Sequence, residues 1–137
     1  MTRTKSISKL KKELDKWFSL YIRLRDSTNE GFCQCFTSGR LYHYTKIHAG
    51  HFVSRRHLAT RWNEYNVQCQ SVADNLFGQG EQFKFGLNLD AKYGDGTAQE
   101  LQELSRQSIK MTRADYEDKI SYYKEIVKNL KKQKGII

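Results

Sequence analysis

Three residues in the middle of the chain have types and spacing suited to hydrolytic chemistry on a phosphate ester: His51, Asn66 fifteen residues later, and Asn75 nine residues beyond that. An imidazole titrates near neutral pH, so His51 could act as general base and take a proton from an attacking water. The Asn75 carboxamide offers a hard carbonyl oxygen suited to Mg²⁺, which neutralises charge on a scissile phosphate and on the leaving oxygen. Asn66, placed in a loop, can tie together the hairpin that presents His51. Taken singly, a histidine beside an aromatic such as Phe52 is usually structural, and an asparagine is usually a cap or turn residue. The information lies in the combination.

Around His51 the chain is basic. Arg55, Arg56 and Arg61 carry planar guanidinium forks that suit bidentate phosphate contacts, so at least one is assigned to substrate binding. The competing assignment for each is a surface ion pair with Glu64 or Asp74. Trp62 and Phe52 read as packing residues, since a small hairpin unit needs large apolar groups to bury.

These residues need elements to position them. Residues 31–66 are punctuated by Gly31, Gly39 and Gly50 and are rich in Tyr, Phe, Thr and His, which suits a twisted hairpin with loops. A short helix is expected from about Ser71, where it would carry Asn75. Leu10, Leu14, Trp17, Tyr21 and Leu24 recur at helical spacing and predict an amphipathic helix over roughly residues 6–26. Tyr116, Ile120, Tyr123, Val127 and Leu130 repeat the pattern, with Thr112 as N-cap and Asp115 three residues on. The two stripes either pack together or form a homodimer seam. Thr97-Ala98-Gln99-Glu100 has the form of a capping box and should start another helix.

At 137 residues the chain is expected to be one domain: an N-terminal helix over 1–30, a core over 31–95 and C-terminal helices over 96–137. Lys and Arg outnumber Asp and Glu by 24 to 15, a formal charge of +9, which favours a polyanion such as nucleic acid. No apolar run is long enough to span a membrane, and the basic N-terminus lacks a signal-peptide core, so a soluble, non-exported protein is expected. Cys33, Cys35 and Cys69 cannot all pair, which argues against a disulfide framework.

His48-Ala49-Gly50-His51-Phe52 with the two asparagines has the residue types and spacing of an HNH motif. Together with AGHFVSR at 49–55, RWNEYNV at 61–67, Asn75 followed by Gly80-Glu81-Gln82, and Lys92-Tyr93-Gly94, it resembles the phage NinG/Rap recombination endonucleases over roughly residues 20–105. The resemblance implies an α+β fold with a ββα-metal (His-Me finger) core framed by N- and C-terminal helices. It further implies a Mg²⁺- or Mn²⁺-dependent DNA endonuclease acting on branched DNA in the cytoplasm of an infected host cell. His51 would be general base, Asn66 the loop-ordering residue and Asn75 the metal ligand, with a 5′-phosphate and a 3′-hydroxyl as products.

Two departures qualify what carries over. Relatives place two cysteine pairs around a structural zinc ion, and the matching positions here are Cys35, Ser38, Ser71 and Asp74. Hydroxyls bind zinc poorly, so no structural zinc is expected unless Cys33 or Cys69, each two residues away, takes over. The loops would close instead through hydrogen bonds among Ser38, Ser71 and Asp74 and packing by Phe36, Leu41 and Val72. Gly50 stands where many HNH nucleases carry an acidic or histidine metal ligand, so either Asn75 and waters suffice or His48 or Gln79 assists. The alternative function is a DNA-binding protein that keeps the fold with weak or no catalysis.

Overall fold

The computed structural model describes residues 4–136. Helix α1 (Ile7–Arg25) starts at Ser6, whose Oγ accepts from the Lys9 N–H at 3.2 Å. Then follow β1 (Phe32–Gln34), β2 (Leu41–His43), a 3-10 turn (Tyr44–Lys46) and β3 (His48–His51). A loop holding the short α2 (Leu58–Arg61) leads to β4 (Val67–Gln70) and a π-helical turn (Ala73–Phe77). The chain finishes with α3 (Gln82–Tyr93), α4 (Thr97–Ser105) and α5 (Arg113–Lys134).

The architecture is α+β, with two small antiparallel ladders, β1 with β2 and β3 with β4. The hairpin expected within residues 31–66 therefore resolves into two, and the second closes on β4, beyond that segment. Strands of three or four residues are too short for a period of two to show in the sequence.

Helices α1 and α5 lie side by side in parallel. At one end Arg113 Nη1 donates to Lys5 O at 2.5 Å, and at the other Lys134 Nζ donates to Leu24 O at 2.7 Å. The lysine thus places positive charge on the carbonyls that end α1, where the helix dipole favours it. Leu10, Leu14, Phe18 and Ile22 of α1 are buried against Tyr116, Ile120, Tyr123 and Val127 of α5, with the rings of Phe18 and Tyr123 edge to face at 5.0 Å. Phe18 and Ile22, rather than Trp17 and Tyr21, form the centre of the α1 stripe; the latter two lie at its margin. Since the two stripes meet within one chain, their apolar area is already removed from water.

The β3–β4 ladder sits beside α1, and α3 and α4 close the opposite side through a second cluster of Phe52, Phe85, Leu89 and Leu101. Two local expectations change. Helix α4 does start at Thr97, but without a capping box: the Asp90 carboxylate of α3 accepts from Ala98 N–H at 2.9 Å, while Thr97 Oγ1 donates to Gly94 O. The reciprocal Thr112–Asp115 box of α5 does form.

Joining β3 to β4 takes a long connection, and Asn66 closes it. Its Oδ1 accepts from Val53 N–H at 2.8 Å, and its Nδ2 donates to Val53 O at 3.1 Å and Thr60 O at 3.0 Å. The side chain is 0% exposed, so each group would be stranded without it. Asn66→Ala is expected to lower unfolding stability by about 3 kcal/mol, roughly 10 °C in Tm, because buried backbone groups lose their partners. Thermal and urea melts check this; a change within experimental error would remove Asn66 as the loop's clasp.

Candidate active site

Strand β3 pairs with β4 in the register His48 opposite Gln70 and His51 opposite Val67, so the two histidines stand at opposite ends of a rigid segment. The turn after β4 then brings Asn75 back over the start of β3, where its amide nitrogen lies 3.0 Å from His48 Nδ1. A cleft of about 610 Å³ opens here, lined by His48, His51, Asn75, Arg55, Arg23 and Asp15 among others.

The His51 ring is held in one tautomer. Its Nε2 is 2.9 Å from the Arg61 carbonyl oxygen, which can only accept, so the proton of the neutral ring is on Nε2 and the lone pair on Nδ1. Burial is the largest influence on its acidity and pushes the pKa down to about 4, the Arg61 carbonyl opposing and the Arg55 charge reinforcing the shift. In the free protein at neutral pH, His51 is therefore an unprotonated base.

The Arg61 carbonyl is itself pinned by a residue the sequence reading missed. Asp15 of α1 accepts from Arg61 Nε at 3.1 Å and Nη2 at 2.6 Å, and from Trp62 Nε1 at 2.9 Å. The Arg61 side chain is only 17% exposed, and its fork is occupied. Of the three arginines considered for substrate contact, Arg61 is thus turned inward onto α1, and its ion-pair partner is Asp15, not Glu64 or Asp74. Arg55, 63% exposed and 3.9 Å from Asp15, lines the cleft. Arg56 is exposed on the loop outside the cleft lining.

Arg23 was also missed. Its Nη1 donates to Tyr44 O at 2.9 Å and its Nε to Ser19, all neutral partners, and burial lowers its pKa. A cation at the wall of a cleft with no carboxylate of its own favours an anionic guest. In sequence it is one polar position of an amphipathic helix, with no signal to separate it from its neighbours.

For a divalent cation, the structure brings His48 and Asn75 together but leaves Gln79 exposed in the following turn, with φ of 53°, outside the cleft lining. An imidazole nitrogen and a carboxamide, whose oxygen reaches the same point when the amide is turned over, are neutral donors. They fit a cation whose remaining ligands are water and phosphate oxygens. No cluster of three or more His, Cys, Asp or Glu suited to a metal occurs among the described residues. Gly50 adds no ligand because a Cβ there would collide with the Gln70 side chain. That side chain is buried and donates to Gly80 O at 2.7 Å and Thr37 Oγ1 at 3.1 Å.

Cys35, Ser38, Ser71 and Asp74 do converge. Cys35 Sγ accepts from Ser71 N–H at 3.1 Å and Ser38 N–H at 3.4 Å, and Asp74 N–H donates to Ser71 Oγ at 3.1 Å. Thr37 Oγ1 completes the knot by donating to Asp74 at 2.7 Å. Burial pushes the thiol pKa up, but hydrogen bonds from Ser38, Ser71 and Thr37 together outweigh it and bring it down to about 7. One thiol, one carboxylate already engaged and two hydroxyls do not fit a closed zinc site. Of the apolar residues expected to support this region, Phe36 packs on Phe85 at 5.1 Å, whereas Leu41 and Val72 are exposed.

Residues 1–133 match the family model described as Bacteriophage Lambda NinG protein. The chain belongs to the NinG family. No curated protein and no solved structure matches it. The match takes in all the elements from α1 through the greater part of α5, so the helical frame belongs to the NinG unit together with the cleft. No helix of the described residues is long and apolar enough to cross a membrane.

Two outcomes are expected of this NinG-family site. The His51 resonance should titrate near 4 in the free protein. Because the unfolded imidazole titrates near 6.5, the unfolded state binds more protons between these values. The stability His51 contributes is thus present above about 6.5 and lost as pH falls toward 4; an NMR titration midpoint near 6.5 would contradict it. The purified protein should also hold no stoichiometric zinc and keep its melting temperature in EDTA, as metal analysis with thermal melts would show. One zinc per chain and a collapse in chelator would reverse that assignment.

Proposed function

We propose that this NinG-family protein is a divalent-cation-dependent DNA endonuclease that hydrolyses a phosphodiester bond in the cleft between α1 and β3. The observation that carries the reading is His51: a desolvated imidazole locked by Arg61 O with its lone pair on Nδ1, on a ring lining a cleft that also holds Asn75, His48, Arg23 and Arg55.

Arg23 and Arg55 bind the non-bridging phosphate oxygens, and this compensates both guanidinium charges. An anion in the cleft raises the proton affinity of His51, so the base strengthens once substrate is present. Nδ1 takes a proton from water as its oxygen attacks phosphorus, the bond from phosphorus to the 3′-oxygen breaks, and that oxygen takes a proton from solvent. The products are a 5′-phosphate and a 3′-hydroxyl. His48 and Asn75 are the residues that would hold Mg²⁺ or Mn²⁺, which when bound neutralises charge on the phosphate and on the leaving oxygen. Asn66 acts through the loop it closes and is a positioning residue.

The second reading is a DNA-binding protein with little catalysis, favoured by the absence, among the described residues, of any cluster of three or more His, Cys, Asp or Glu suited to a metal and by Gln70 occupying the space over Gly50. One assay separates the two. Linear and four-way-junction DNA incubated with Mg²⁺ should be cut, His51→Ala should cut ~100-fold more slowly with DNA binding retained, and EDTA should stop the reaction. Wild-type protein that binds both substrates and cuts neither would establish the second reading.

A further inference from the structure

The outward face of α1 carries a row of cations that runs into the cleft. Lys9, Lys12, Lys16, Ser19 and Arg23 follow one another at intervals of three and four residues, which places them on one side of a helix over roughly 20 Å. Lys9, Lys12 and Lys16 are exposed, and among the described residues none of them is in an ion pair. Ser19 and Arg23, at the end of the row, line the cleft.

The carboxylates of α1 are kept off this face. Glu13 accepts from Lys5 at 2.7 Å and lies 3.5 Å from Lys124, while Asp15 is engaged by Arg61 and Trp62. Helix α5, which is also rich in lysine, differs: Asp115, Glu117, Asp118 and Glu125 interrupt its positive charge. Lys16 additionally rests over the Trp17 ring at 5.1 Å, which restrains its stem and leaves the ammonium at the surface.

We propose that this face of α1 is the track along which the nucleic-acid backbone lies as it enters the cleft, with Lys9, Lys12 and Lys16 contacting phosphates flanking the one held by Arg23. The inference rests on the reading of the cleft as a phosphodiester site. It assigns the duplex-binding surface to the helical frame, beyond the β3–β4 hairpin. A phosphate chain fits better than an anionic membrane because the row ends in a concave site lined by His51 and the Arg23 and Arg55 guanidinium groups, where a flat lipid surface would leave Arg23 unpaired.

The test is the salt dependence of binding to a labelled DNA duplex, measured by anisotropy with Ca²⁺ in place of Mg²⁺. The triple variant Lys9→Gln, Lys12→Gln, Lys16→Gln keeps helix propensity nearly unchanged, so its circular dichroism and melting should match wild type. Loss of three phosphate contacts should make the slope of log K against log salt shallower by about 2.7 and weaken binding ~10-fold or more near physiological salt. In the cleavage assay the loss should fall on KM rather than kcat. A control triple on α5, Lys119→Gln, Lys128→Gln, Lys132→Gln, should leave the slope within about 1 of wild type.

An unchanged slope in the α1 variant, or equal changes in both variants, overturns the proposal. So does an unchanged DNA slope accompanied by lost binding to phosphatidylserine vesicles. His51→Ala keeps these outcomes separate from the catalytic reading, since it should abolish cutting with no effect on the slope.

Discussion

The Asp15 carboxylate joins the helical frame to the cleft. It lies on α1, whose apolar stripe is buried against α5, and it accepts from Arg61 and Trp62 on the loop between β3 and β4. Holding Arg61 at its side chain also fixes its carbonyl, and that carbonyl sets the tautomer of His51. The His51 imidazole is thus oriented by packing more than 30 residues away in sequence, through one partly buried ion pair. Such a pair adds little net stability where it replaces good hydration, but two parallel bonds from the Nε and Nη2 edge restrict orientation as well as distance.

Asp15 is shared between Arg61 and, at 3.9 Å, Arg55, so no carboxylate is paired with Arg23 among the described residues. Burial disfavours charge on His51 as well, so the site combines a neutral imidazole with one partly buried cation, Arg23, that has only neutral partners. That state is costly when empty and is relieved by an anion. His48 and Asn75 bring no negative charge of their own, so a cation held there would take its negative charge from the phosphate.

Away from the cleft, hydrogen bonds close the loops around Cys35. The Cys35 thiol gathers backbone N–H groups from Ser38 and Ser71, and Asp74 accepts from Thr37. Gln70 then links Thr37 to Gly80 by passing over Gly50. The first hairpin, the ladder and the turn that carries Asn75 are held together by this buried polar knot, which fixes where Asn75 can stand relative to His48.

Local pattern was sufficient for the features that depend on near neighbours. The spacing of His51, Asn66 and Asn75, the helices at both ends, and the Thr112–Asp115 box were all legible, since helical periodicity and capping act over three to four residues. The strands β1 and β2 were not, because three residues carry no readable period. The sequence shows Arg55, Arg56 and Arg61 as three equivalent cations; only the folded chain makes Arg61 internal, Arg55 a cleft residue and Arg56 an outer one. Arg23 and Asp15 were invisible for the same reason: their roles come from partners brought near by the packing of α1 on β3 and its loop. Sequence by itself determined which residue types stand at which spacing, while tertiary structure decided which charges remain uncompensated, because desolvation and ion pairing depend on distances that no linear spacing contains.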